Sequence, residues 1–295
     1  MSIAPIVLFV YNRPKHTKIT LESIKNARGA SHHKLIIFSD GPKNNEDKIK
    51  IDEVREIIHS ENWTDDVEIK LSVENLGLAK SIERGVSKVV NIYGSIIVFE
   101  DDMIVSEGAI EYFDKALQLY QNDTDVMHIS GYMHPVEGNL PETYFLPVTS
   151  CWGWATWKRA WSYYDPVIDN YINDFTSKKI QKFNLNSTYD HYAQLLKNMD
   201  GEIKTWAVKW YASIFFKNGL ALHPKRSLIR NIGHDETGIN CTTNSILLEQ
   251  DIVERIDVKR VKKKVSFKAM VALERYYRGY HKGYKKIIAR LLNVI

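Results

Sequence analysis

The chain has 295 residues, 44% of them hydrophobic and 26% charged, with a formal net charge of +4. That is ordinary for a globular protein large enough for one big domain or a core with a second lobe. No apolar stretch approaches the roughly 18–20 residues needed to span a bilayer. Only Cys151 and Cys241 are present, in no CxxC pairing, which excludes a thiolate zinc site and fits a reduced, cytoplasmic setting. The opening residues carry no basic n-region, so the expectation is a first strand rather than a targeting segment.

Ile6–Val10 reads as a buried strand ending at Tyr11-Asn12-Arg13, and Pro14 suits the first position of a helix carrying Leu21 and Ile24. Leu35–Phe38 reads as a second strand, closed by Ser39-Asp40-Gly41-Pro42. Ile51, Val54, Ile57 and Ile58 recur at helical spacing, and Val67–Val73 alternates like a strand nearer an edge. After Asn75-Leu76-Gly77, Leu78, Ile82, Val86, Val89 and Val90 mark one helix face. Ser95–Phe99 is apolar on both parities, as in a strand buried on both faces, and runs straight into Glu100-Asp101-Asp102. Ser106 is an expected N-cap for a helix striped by Ile110, Phe113, Leu117 and Tyr120, and Val126–Ser130 is one more strand. This alternation predicts a mostly parallel α/β sheet through about residue 130.

After Gly131 the character changes. Aromatics crowd Cys151–Trp157 and continue through Trp161, Tyr163 and Tyr164. Helices are expected around Tyr189–Met199 and Trp206–Ile214, and a short strand at Leu220–Pro224. No linker separates this half, so it reads as a smaller lobe on the same sheet. The expected divisions are 1–130, 131–258 and a tail, 259–295. The tail holds twelve Lys or Arg against Glu274 alone, about +11, leaving 28 basic and 35 acidic residues before it. Its apolar and aromatic residues, from Phe267 to Leu292, interleave with cations. That pattern suits either an interfacial helix on anionic lipid or a helix packed on its own domain. No nucleic-acid-binding motif accompanies it.

Asn12 and Arg13, Asp40, and Glu100–Asp102 all lie at carboxyl ends of expected parallel strands, where open α/β sheets bind ligands. Three adjacent carboxylates repel one another, and a divalent cation or hydrogen-bond donors would offset that cost. A solvated strand-end turn is the plainer alternative. Walker A and GxGxxG loops are both absent.

Six pieces, in order, carry a family resemblance: Ala4–Pro14, Ser39-Asp40-Gly41-Pro42, Glu74–Leu78, Phe99-Glu100-Asp101-Asp102, Cys151-Trp152-Gly153-Trp154 and Leu228–Gly233. On these the chain resembles metal-dependent glycosyltransferases of the GT-A fold, nearest to bacterial sugar transferases related to N-acetylglucosaminyltransferase I. The resemblance implies transfer from a nucleotide-sugar, a UDP-sugar by expectation, to a glycan or lipid-linked acceptor, with inversion. Asp102 would ligate Mn²⁺ or Mg²⁺, Asp101 would lie near the ribose and Glu100 near the donor sugar. Asp40 would contact uracil, while Asn12, Arg13 and Asn75 would flank the nucleotide. Gly153 and Trp154 would sit beside a sugar, although seven Trp can equally serve as core. The family's base, an Asp following a Trp, falls here on Ala207 or Val208, which leaves Asp235 and Asp190 as candidates. Asn240 stands where relatives carry a His, and His234 is a candidate substitute. A peripheral position on the inner face of a membrane would suit a lipid-linked acceptor. The alternatives are a nucleotide- or sugar-binding module that lost its base, and a nucleotidyltransferase, whose glycine-rich basic loop this chain lacks.

Overall fold

A computed structural model describes residues 3–234 and 250–292, with side chains to residue 279. The first half runs β1 (Ile6–Val10), α1 (Pro14–Asn26), β2 (Lys34–Ser39), α2 (Asn45–His59), β3 (Asp66–Leu71), α3 (Leu78–Tyr93) and β4 (Ser95–Glu100). Next come β5 (Met103–Val105), α4 (Ala109–Leu119), β6 (Val126–Ser130), β7 (Thr143–Leu146) and β8 (Trp154–Trp157). Short helices α5 (Lys158–Trp161), α6 (Asp169–Ile172) and α7 (Ser177–Phe183) lead to α8 (His191–Met199) and α9 (Ala207–Phe216). The chain then forms β9 (Leu220–Pro224), β10 (Ile229–Asn231) and α10 (Phe267–Leu292).

Eight strands form one sheet in the order β3-β2-β1-β4-β8-β6-β9-β7. β1, β2, β3 and β4 are mutually parallel, and β6 runs parallel to β9. β8 is antiparallel to both β4 and β6, and β7 is antiparallel to β9. The fold is therefore mixed α/β, mostly parallel, with helices on both faces. The expected edge strand, β3, is indeed at an edge.

Alternation along the strands sorts the core. Ile6, Leu8 and Val10 pack with Leu21 and Ile24 of α1, Val54 and Ile58 of α2, and Phe113 of α4. Val7 and Phe9 face the other side, with Ile82, Val86, Val89 and Val90 of α3 and the tryptophans. Because both parities meet a helix layer, these strands carry no polar face. A third cluster lies beyond β7, where α7, α8 and α9 meet the start of α10.

Two expectations differ from the structure. Ser106 caps no helix: α4 starts after Gly108, and Ser106 directly follows β5, which pairs with β10. Trp154–Trp157, expected only as an aromatic crowd, is a central strand. Four residues are too few to show a period against so many neighbouring aromatics.

The described part of the tail packs on the domain. Ala269, Ala272, Leu273 and Tyr277 of α10 are buried in the third cluster. Arg260 and Lys263 pair with Asp123, and Lys263 also reaches Asp125. No helix among the described residues is long and apolar enough to cross a membrane.

One buried titratable group, away from the strand ends that carry the candidate site residues, ties the chain just before β2 to α4. His33, 2% exposed, uses Nδ1 toward the Ala4 carbonyl (2.7 Å) and Nε2 toward Asp114 Oδ2 (3.0 Å). Burial opposes the imidazolium, but the Asp114 carboxylate and the carbonyl outweigh it and raise the pKa above its usual value. A raised folded-state pKa means native His33 holds its proton longer than unfolded His33. Its stabilisation is complete below about pH 6.5 and is lost as pH rises through the folded pKa. Urea midpoints measured across that range should fall with rising pH, and the fall should be smaller in Asp114→Asn. Equal pH slopes in both proteins would refute the assignment.

Candidate active site

Strand order reverses between β1 and β4, since β2 and β3 extend to one side of β1 and β8 to the other. Such a switch point opens a crevice at the carboxyl ends of the two strands. β1 delivers Tyr11-Asn12-Arg13 there, and β4 delivers Glu100-Asp101-Asp102.

The three carboxylates do not emerge into water. Asp101 and Asp102 are 8% and 9% exposed, and Glu100 is largely covered. Burial raises the Glu100 carboxyl well above the usual range, with Asp102 and Asp101 adding to it; Arg13 and a Trp206 side-chain hydrogen bond act the other way. Burial and the Asp102 charge likewise push Asp101 up to about 7, against the opposing charge of Arg13 and the Tyr11 N–H. That N–H donates to Asp101 Oδ2 at 3.1 Å. From below, Thr20 Oγ1 donates to the Asp101 carbonyl (2.8 Å) and accepts from the Met103 N–H (3.1 Å), locking the turn to α1.

Arg13 is the cation of the cluster. Nη1 meets Asp102 Oδ2 at 2.9 Å and Nη2 donates to the Gly233 carbonyl at 3.1 Å. The ladder between β5 and β10 closes the other side of Asp102. It brings Asn231 Nδ2 to Asp102 Oδ1 (3.2 Å) and the Ile232 N–H to the Asp102 carbonyl (2.8 Å). Gly233 is required by this approach, because a Cβ there would lie 2.0 Å from Asp102 Oδ2. Asn231 and Gly233 carry roles that sequence reasoning did not assign. The available signal was an amide and a glycine ending the apolar run Leu228-Ile229, too common to single them out.

The reversed direction of β8 puts its first residues at this same end of the sheet. Trp154 pairs with Val98, so Gly153 and Trp152 lie over the end of β4. Gly153, at φ +64°, packs on Phe99 and Ile229, where a side chain would collide with both. Trp152 is half-buried, with Tyr132 at 4.6 Å and His234 at 5.4 Å between ring centroids. His234 is pushed below its usual pKa by burial; Asp102 and Arg13 act on it in opposite senses. Neither of its ring nitrogens has a hydrogen-bond partner among the described residues.

Trp154 is placed differently from the sugar-facing expectation. It is fully buried, stacked between His128 (5.5 Å) and Trp206 (5.1 Å), with Trp161 and Trp210 alongside. Its indole can touch no ligand and serves as core. His128 is neutral there, its pKa lowered to about 3 by burial, and it accepts from Trp210 Nε1 at 3.1 Å.

Asp190, a candidate base, stands at the start of α8. Its exposed carboxylate caps α8 through the Ala193 N–H (3.0 Å) and accepts from Asn184 Nδ2 (2.9 Å). A capping Asp at that helix end satisfies orphan amides. Asp235 and Asn240 lie outside the described residues.

Asp40 and Asn75 hold each other. Asp40 Oδ1 accepts from the Gly41 and Leu76 N–H groups (2.9 Å each); Oδ2 accepts from the Gly77 N–H (2.9 Å) and Asn75 Nδ2 (3.2 Å). Those four donors use the carboxylate's capacity, so Asp40 clasps the turn that starts α3. Gly41 lies directly on that turn, since a Cβ would come within 2.6 Å of backbone atoms of Val73 and Glu74. Asn12 is tied to Asp47 at the start of α2 (2.6 Å), which Tyr11 also reaches through its hydroxyl (2.7 Å).

Among the described residues, no group of three or more His, Cys, Asp and Glu is arranged to hold a metal ion alone. A hard cation that draws most oxygens from a diphosphate and water needs only one or two carboxylates. The donor set fits that case. Asp102 and Asp101 offer oxygens in a buried, net-anionic cluster, and the His234 imidazole, without a hydrogen-bond partner among the described residues, stands near Asp102. Binding at Asp102 Oδ2 requires Arg13 to give way.

Fold and site together define a mixed α/β protein with a carboxylate–guanidinium cleft at its switch point. No protein-family model matches the chain, and no curated protein matches it by sequence. Among solved structures it is similar to a protein described as a nucleotide-diphospho-sugar transferase from Desulfovibrio desulfuricans G20, at 13% identity over 57% of this chain and 69% of that one (TM-score 0.35). It is also similar to the mannosyltransferase PcManGT from Pyrobaculum calidifontis in complex with GDP-Man and Mn²⁺, at 8% identity over 74% and 72% of the two chains (TM-score 0.41). A third likeness is to the galactosyltransferase LgtC in complex with donor and acceptor sugar analogues, at 7% identity over 71% and 70% (TM-score 0.36).

Proposed function

We propose that this chain is a glycosyltransferase that moves a sugar from a nucleotide-sugar, by preference a UDP-sugar, to a glycan or lipid-linked acceptor with inversion. The observation that carries the reading is the convergence of Arg13 with the buried Asp101 and Asp102 and the largely covered Glu100 at the β1/β4 switch point, beneath a half-buried Trp152. Asp102 and Asp101 would hold Mn²⁺ or Mg²⁺, which when bound supplies Lewis-acid neutralisation of the departing diphosphate. The chain's own residues do the rest. Asp40 and Asn75 shape the turn at the base end of the crevice, and Asn12, braced by Asp47, keeps the end of β1 in place. Arg13, on giving up Asp102 to the metal, would turn Nη1 to a phosphate oxygen, for which its planar fork is suited. Trp152 offers an apolar ring face to a sugar. The base that takes the acceptor proton is assigned to Asp235, since Asp190 is committed to capping α8.

The test is UDP affinity measured by calorimetry. Binding should require Mn²⁺ and weaken about a hundredfold, or ~2.8 kcal/mol, in Asp102→Ala. Equal affinity with and without metal, in both proteins, would reject the metal-bridged reading. A donor panel followed by UDP release then separates an enzyme from a binding module, which would bind UDP and turn nothing over.

A further inference from the structure

A second feature lies three strands from β4, about 14 Å by strand spacing, and takes no part in the crevice chemistry. Helix α3 does not fully cover the edge strand β3, and the gap is a cavity of about 260 Å³. Three cations border it: Lys70 from β3, and Arg84 and Lys88 one turn apart on α3. Like charges at i and i+4 destabilise a helix. Lys70 is tied to Glu68, which also pairs with Lys34. Arg84 and Lys88 form no ion pair among the described residues. Ser39, Ser72 and Ser81 line the same cavity; the Ser72 hydroxyl is given to the Glu74 carbonyl, which leaves those of Ser39 and Ser81 to add donors.

We propose that this groove binds a phosphate group. The two uncompensated cations and the Ser39 and Ser81 hydroxyls make an electropositive recess at the edge of the sheet, suited to an anion with several acceptor oxygens. Its floor is apolar, formed by the Phe38 ring, stacked on Phe9 at 5.2 Å, and by Leu76. Leu71, 49% exposed, also lines it. The volume exceeds what a bare phosphate fills, so the phosphate carries an organic portion against that floor. A lipid headgroup and a soluble phosphorylated metabolite share this chemistry.

The test follows backbone amide resonances of Ser72, Ser81 and Gly85 during titration with inorganic phosphate at constant ionic strength. In parallel, flotation is measured with phosphatidylcholine vesicles with and without phosphatidic acid. The comparison protein is the double variant Arg84→Gln, Lys88→Gln, whose unchanged thermal midpoint certifies folding. Saturable shifts that weaken at least tenfold in the variant support the groove with a soluble ligand. Flotation that needs both phosphatidic acid and the two cations supports it with a lipid source. Shifts and flotation indistinguishable between the two proteins would overturn the proposal, whatever UDP does at the crevice.

Discussion

Arg13→Ala is expected to lower unfolding free energy by about 3–5 kcal/mol, the cost of leaving a buried charge without its partner. The Arg13 and Asp102 side chains are only 12% and 13% exposed, so solvent cannot take over the guanidinium's role. Two further carboxylates adjoin Asp102, and Arg13 is the cation whose charge opposes the buried Glu100 and Asp101. Arg13 also ties β1 to the Gly233 carbonyl, so its loss loosens the 231–233 closure. Adding Asp102→Asn to Arg13→Ala should recover most of the loss, because the amide removes the stranded charge at nearly the same volume. Urea unfolding of the two single variants and the double variant measures this coupling. Additive losses in the double variant would show that Arg13 stabilises through packing rather than charge.

Trp154→Ala should cost about 3–5 kcal/mol, as expected for emptying a large, fully buried aromatic site. The lost ring contacts His128, Trp206, Trp161 and Trp210, which cannot all close on the space. Trp152→Ala, in contrast, should cost less than half as much and should weaken acceptor or donor binding, because Trp152 is half-exposed over the carboxylates. Denaturant midpoints rank the two, and ligand affinity of the folded variants separates core from site. A more stable Trp154→Ala than Trp152→Ala would reverse both assignments.

The parallel half was legible because each signal was local. Ile6–Val10 and Ser95–Phe99 are apolar on both parities, α3 carries its stripe, and the acids stand next to their strand in the chain. The residues that complete the site were not legible in the same way. Asn231 and Gly233 reach Asp102 only because β10 pairs antiparallel with β5, more than a hundred residues away. Trp152 and Trp154, two residues apart, would share one face of a continuous strand; they part because Gly153 between them, at φ +64°, breaks the extended run just before β8, which is inserted, reversed, beside β4. Asp190 illustrates the converse, since an Asp before a helix satisfies the same local pattern whether it caps or catalyses.

By itself the sequence determined the mixed α/β class, the strand that ends in Glu100-Asp101-Asp102, and the placing of Arg13 and Asp40 at neighbouring strand ends. Hydrophobic period and chain adjacency are enough for those. Only the tertiary structure decided that Asp101 and Asp102 are buried with Arg13 paired to Asp102, that Asp40 is spent on its own turn, and that Trp154 is core. Burial and pairing depend on which distant segments close over a residue, and no local pattern carries that information.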